Sequence, residues 1–388
     1  MLLIKNAKVH TVAQGVIENG SVLIEGKRIK KVSNEPLEVD LSKTKIIDAQ
    51  GKMLFPSFID AHTHLGTFPL EGTEMDADGN EMTNPATPGL RAIDSINPYD
   101  PAFKEAFETG YEIVFTGAGS GNVIGGLSIT MKTYGNIVDE MVIKNPAGLK
   151  CAFGENPKRV YSSKNQIPTT RMGTAKVFRE TLYKGKNYYE KKKNGEKVDF
   201  DLNMESLFLV FDHRIPLRIH SHRADDIVTA IRIAKHEFGL DVVIEHGTDS
   251  AKIRDFLAKE NVPVILGPIL DVSPKVETKP NSFENPKKLV EAGVKVALMT
   301  DHPVVSIGYA LIQAGLVAYE GKLGFDETLK LITINPAQIL GIDSDYGSIE
   351  EGKVANLVMF DRNPFSVLSK ADTVLLEGEV IIEGGKYV

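Results

Sequence analysis

Residues 216–246 read PLRIHSHRADDIVTAIRIAKHEFGLDVVIEH. A short apolar run, Pro216-Leu217-Arg218-Ile219, leads through a helical pattern from Asp225 to Phe238 into a second run, Val242-Val243-Ile244. Nearly continuous apolar strands on either side of a helix indicate a parallel sheet buried on both faces. The alternation extends in both directions. Upstream, Met53 to Asp60 is the first strand candidate, Glu112 to Phe115 follows a helical segment around Phe103 to Thr109, and Leu149 to Phe153 precedes a helix from about Thr174 to Lys193. Downstream, the helix Ala251 to Glu260 leads into Val262–Leu266, and the helix Pro286 to Ala292 into Val294–Met299. The span 54–345 suits an α/β fold of the (β/α)8 TIM-barrel type with insertions. A doubly wound open sheet is the competing architecture.

The two ends differ from this middle. Leu2–Val9 and Ser21–Val32 are strand-like, and so are Ala355–Phe360, Thr373–Leu376 and Val380–Ile382. Neither end offers many strands alone, so 1–53 and 346–388 are expected to pair into one small β-sandwich domain. Hydrophobic residues make up 42% of the chain and charged residues 25%, which is the balance of a folded globular protein and not of a disordered one. The net charge of −7 offers no basic excess for nucleic acid. Cys151 is the only cysteine, which excludes internal disulfides and a thiolate-only zinc site. The start alternates like a strand and not like a signal peptide, and no apolar run approaches membrane-spanning length, so a cytoplasmic protein is expected.

Chemistry concentrates at the strand ends. His62, His64, His220, His246 and Asp301 each fall just after a predicted buried strand, and in a parallel barrel all such positions share the face where active sites form. His62 and His64 are two apart, so in extended chain they point to one side and can reach one ion. Together these residues supply N and O ligands for a divalent metal without a thiolate. Gly117-Ala118-Gly119-Ser120-Gly121-Asn122 lacks the last glycine of a dinucleotide fingerprint and is expected to be a strand-end loop needing positive φ. Leu65 to Pro101, long and rich in Gly and Pro, is expected to form a lid or pocket wall.

With these residues in place, the chain resembles the amidohydrolase superfamily of metal-dependent hydrolases. Pro56-Ser57-Phe58-Ile59-Asp60-Ala61-His62-Thr63-His64 is similar to its first-strand signature, with Ser57 in place of the usual Gly. Ile219-His220, Ile244-Glu245-His246-Gly247 and Thr300-Asp301 resemble its fifth-, sixth- and eighth-strand motifs, and 347–358 its return into the β-sandwich, with Asn356 in place of the usual Asp. Gly148-Leu149-Lys150 resembles the Gly-x-Lys strand of the branches whose lysine is carboxylated and bridges two metals. Glu155 is the rival fourth-strand ligand.

The resemblance implies two divalent ions, zinc by default with Mn, Fe or Co also compatible. His62 and His64 would hold the more buried ion with Asp301, and His220 and His246 the more exposed one, with carboxylated Lys150 between. It implies hydrolysis of an amide or cyclic amide C–N bond by metal-bound hydroxide, with Asp301 as proton carrier, in the manner of imidazolonepropionase-like proteins and metallodipeptidases. His222, Arg159, Tyr161 and Arg223 are candidate contacts to a small-molecule substrate; self-association is left open. Two alternatives stand beside this reading. One is a mononuclear aminohydrolase, either a deaminase, disfavoured because Arg223 occupies the position of the usual proton-shuttling Glu, or an imidazolonepropionase. The other is a non-catalytic scaffold of the same family.

Overall fold

The structure, a computed structural model, describes residues 1–271 and 275–388. Among these, one sheet carries the middle of the chain. Its strands are β1 (Phe58–Thr63), β2 (Tyr111–Thr116), β3 (Ile124–Lys132), β4 (Val142–Ala152), β5 (Leu217–Ser221), β6 (Val242–His246), β7 (Val264–Leu266) and β8 (Val296–Leu298), hydrogen-bonded in that order. The ring is nearly closed: Asp301 N donates to His62 O at 3.2 Å and His64 N to His302 O at 2.8 Å, tying the chain beyond β8 to β1. Strands β4 to β8 run parallel, as expected from their apolar composition.

The strict strand–helix alternation is not met. Strand β3 is antiparallel to both β2 and β4, so β2, β3 and β4 form consecutive hairpins. Residues 117–123 are too few for a parallel crossover, which needs a dozen or more. The expectation for the glycines of that loop is also corrected, because Gly117, Gly119 and Gly121 do not have positive φ. They are glycines for space. A Cβ on Gly117 would lie 2.2 Å from Ser128 Oγ, and one on Gly119 2.5 Å from Asn80 Nδ2.

Both ends of the chain join one further sheet. Its order is Lys386–Tyr387, Glu379–Glu383, Ala371–Leu376, Leu357–Phe360, Met53–Pro56, Leu2–His10, Val16–Glu25 and Arg28–Ser33, with Lys45–Asp48 pairing beside Leu2–His10. The halves meet where Leu357 pairs with Pro56 and Phe360 with Met53. The apolar run from Met53 therefore serves two sheets and divides at Ser57, whose N–H donates to Asn356 O at 3.0 Å. This sheet buries its own cluster around Ile4, Val9, Val22, Leu54 and Leu357. Inside the barrel, Ala61, Val243, Ile265, Ala297 and Met299 pack together, while a larger cluster fills the space between strands and helices. Each buried Val, Leu, Ile or Met among them contributes about 1.5–3 kcal/mol.

The helices read from the sequence arise near their expected places, beside others that were not expected, such as Glu155–Ser162 and Leu202–Phe211. Thr170 Oγ1 accepts from Gly173 N at 3.0 Å and caps Arg171–Lys193. Ala224–Ile231 carries Asp225 and Asp226 in its first turn, where the helix dipole favours them. Gly117→Ala should destabilise the protein by about 1–3 kcal/mol, because Ser128 offers both side chain and backbone to the added methyl. Denaturant unfolding of the variant measures this.

Candidate metal centre

The mouth of the barrel gathers the predicted ligands. His62 and His64 reach one point from the end of β1, with ring centroids 5.1 Å apart, beside a register irregularity between Asp60 and Thr63. Asp301 Oδ1 lies 3.0 Å from His62 Nε2 and 3.2 Å from His64 Nε2. His220 and His222, two apart at the end of β5, share a face, and His246 sits against both, its ring centroid 4.1 Å from His220 and 4.7 Å from His222. His246 and Asp301 have φ of 71° and 54°, left-handed values uncommon for such residues. That turn lets His246 enter the site although its neighbour Glu245 already points into the barrel.

Two groups of donors result. His62, His246 and Asp301 form one and His220, His222 and His246 the other, each with ligand atoms within 4.8 Å of one another. His246 thus stands between them, where the expected division gave it to one side alone.

The imidazoles fit a metal in their hydrogen bonding as well. His64 Nδ1 faces Gly117 O at 2.8 Å and His246 Nδ1 faces Gly267 O at 3.0 Å. A carbonyl only accepts, so both Nδ1 atoms carry the proton and both Nε2 atoms keep a lone pair. His222 Nδ1 meets Thr248 Oγ1 at 2.8 Å. His220 Nδ1 is buried with no hydrogen-bond partner among the described residues. Burial holds His220 and His246 well below the usual imidazole pKa and His222 down to about 3, so these rings are neutral donors. Burial opposes ionisation of Asp301, but the imidazoles around it, with His62 Nε2 hydrogen-bonded to Oδ1 at 3.0 Å, outweigh burial and keep the carboxyl well below its ordinary range.

Beneath the mouth lies a buried set of charges. Glu245 Oε2 accepts from Lys150 Nζ at 2.5 Å; its Oε1 accepts from Arg218 Nε at 2.9 Å and lies 3.0 Å from His62 Nδ1. Glu245 and Arg218 are both 0% exposed and Lys150 1%. Arg218 also donates from Nη2 to Ala61 O at 2.6 Å and stacks on Phe115, 3.7 Å from the ring centroid. Burial alone would raise the Glu245 pKa, but the charges of His62, Lys150 and Arg218 bring it well below the usual value. Asp60 braces the rim: Oδ1 accepts from His62 N, and Oδ2 from Thr300 N and Oγ1 at 3.0 and 2.7 Å.

A cavity of about 300 Å³ opens above, lined by His64, His220, His222, His246 and Asp301 together with Phe68, Asn80, Ser120, Asn156, Thr248, Asp271 and Lys275. Phe68 and Asn80 come from the Leu65–Pro101 stretch, which does form a wall. Other sequence candidates do not reach the cavity. Arg159 is exposed on the helix Glu155–Ser162, and Arg223 pairs with Asp225 at 2.8 Å on the surface. Tyr161 is buried, but its hydroxyl donates to Asn122 Oδ1 at 2.6 Å. Glu155 opens its helix with its N–H directed to Glu277, outside the lining. Glu245, Arg218 and Lys275 were not singled out beforehand. The first two carry a sequence signal, a charged residue inside an apolar strand that must find a partner. Lys275 carries none.

The sequence model of the Amidohydrolase family matches residues 201–384. The crystal structure of an amidohydrolase from Thermotoga maritima MSB8 superposes with a TM-score of 0.94 at 42% identity, covering 99% of this chain and 100% of that one. Among curated proteins, the imidazolonepropionase of Shouchella clausii is 26% identical over 96% of this chain and 87% of its own length. Amidohydrolase tasK of Hapsidospora irregularis is 26% identical over 92% of this chain, which spans only 39% of that protein. No helix among the described residues is long and apolar enough to cross a membrane. Glu245→Leu should cost about 3–5 kcal/mol, since it leaves Lys150 and Arg218 buried without their anion. Thermal or denaturant unfolding reads the loss.

Proposed function

Since the chain belongs to the amidohydrolase family, we propose that it hydrolyses an amide or cyclic amide C–N bond of a small molecule at a binuclear metal centre. The observation that carries this is the pair of donor groups meeting at His246. His62, His64 and Asp301 would hold the deeper ion and His220 the outer one, with His246 placed between the two groups to serve either, and zinc the default for neutral imidazoles and a carboxylate. A metal bound there supplies Lewis acidity and lowers the pKa of water to about 7.

The protein's own groups do the rest. Asp301 gives Oδ1 to both histidines, which leaves Oδ2 to take a proton and pass it to the departing nitrogen. His222, oriented by Thr248, presents a neutral ring to the substrate. Phe68 and the backbone around Gly119 narrow the mouth and displace water.

Lys150 is proposed as the bridge, in carboxylated form. Its Nζ is 3.5 Å from His62 Nε2, beside the atoms assigned to the deeper ion. As an ammonium it pairs with Glu245, so carboxylation requires it to turn away, leaving Arg218 and His62 to balance that carboxylate. Glu155 does not compete from the cavity wall. The deaminase alternative loses support because Arg223, at the shuttle position, lies outside the cavity.

Elemental analysis is expected to give two metal equivalents in the native protein and one in Lys150→Ala, with partial recovery on adding a short carboxylic acid. Two equivalents retained would reject the bridge, and one in both proteins would favour a mononuclear centre. Asp301→Asn should lower kcat about 10²–10⁴-fold towards any amide or cyclic amide that the native enzyme hydrolyses in a steady-state assay.

A further inference from the structure

Lys275 stands in the cavity wall opposite the imidazoles. Its Nζ donates to Asn156 Oδ1 at 2.9 Å, and among the described residues no carboxylate lies within ion-pair distance of it. Its acceptor is itself held in place. Asn156 Nδ2 donates to Ser120 Oγ at 2.6 Å and lies 3.4 Å from His220 Nε2. The backbone is fixed as well, because Thr278 N and Oγ1 both donate to Lys275 O, at 3.2 and 3.0 Å. The ammonium is therefore held by a neutral oxygen, with hydrogen-bonding capacity left over, on the wall of a small cavity that also contains the donor imidazoles.

We propose that Lys275 anchors a carboxylate of the substrate, so that the hydrolysed bond belongs to a small carboxylate-bearing amide. This rests on the amide-hydrolase reading and narrows it. A monoanion matches the site better than a phosphate. Asp271 and Asp301 also face the cavity, and a dianion would meet two carboxylates with one lysine to offset them. The cavity of about 300 Å³ limits the ligand to the size of an acylated amino acid or a cyclic equivalent.

The test uses the metal-loaded protein and three probes: N-acetylalanine, N-acetylalaninamide and inorganic phosphate. N-acetylalanine should raise the Tm more than its amide does, and its kcat/KM should exceed that of the amide about 10–100-fold, the range of a charge-assisted hydrogen bond. Lys275→Gln keeps a donor for Asn156 and should collapse both preferences, while Lys275→Arg should restore part of them. A Tm preference that survives in Lys275→Gln would overturn the anchor, since the metal would then be holding the carboxylate. A larger Tm rise with phosphate than with N-acetylalanine would overturn it also. If neither probe is hydrolysed but the Tm preference exists and disappears in Lys275→Gln, the anchor holds and the proposed activity falls. If both are hydrolysed equally with no Tm preference, the activity stands and the anchor falls.

Discussion

A carboxylate with no exposed surface organises the barrel's interior. Glu245 joins three strands at once: Arg218 on β5, Lys150 on β4 and His62 on β1. Taking these groups from water costs several kcal/mol per ion, and only their mutual attraction at close range offsets that. Glu245 is the member the others depend on, because without it Arg218 and Lys150 would be buried with no anion beside them. It also sets the orientation of His62, whose Nδ1 is held by Glu245 while Nε2 turns to Asp301. The buried charges and the mouth are in this sense one construction: the lower half fixes the angle at which the upper half can present a nitrogen.

The upper half follows the same logic with weaker partners. Carbonyls of Gly117 and Gly267 set the tautomers of His64 and His246 from loops that follow β2 and β7. Outer contacts of this kind raise a ligand's basicity and hold its ring, and losing one typically costs about 10–100-fold in metal affinity or activity. The strain at His246 and Asp301 belongs here too. Left-handed backbone at two non-glycine residues costs of order 1–3 kcal/mol each, and it persists because it aims both side chains at one point.

Much of this was legible in the sequence. The βαβ pattern of residues 216–246 pointed to a parallel α/β sheet, the two-residue spacing of His62 and His64 identified a shared face, and the strand-like ends foretold their pairing, which the structure shows as one sheet. What escaped notice did so for physical reasons. Ile124–Lys132 contains two adjacent glycines and is followed only by the four-residue helix Val138–Met141, so little local marks it as a strand or reveals its direction. Its place is set by pairing with neighbours distant in sequence. Arg159, Tyr161 and Arg223 were sound residue types in the right neighbourhood, but helix phase and a local ion pair turned them elsewhere. Lys275 becomes meaningful only beside Asn156, 119 residues away in the chain, and such a contact has no sequence signature.

The reversed direction of β3 partitions the surface in a way that bears on how such a protein can change. Elsewhere the segment after a strand opens on the mouth, but here the turn before β3, 117–123, does so, and the turn after it, 133–141, is carried to the opposite end, where Lys132 contacts Glu377 of the terminal sheet. Lengthening or diversifying 133–141 would thus alter the seam between the two sheets and leave substrate choice alone. The 117–123 turn offers the reverse bargain. It abuts the ligand set directly, yet its glycines are hemmed in by Ser128 and Asn80, so variation there needs compensating changes in β3 or in the 65–101 wall.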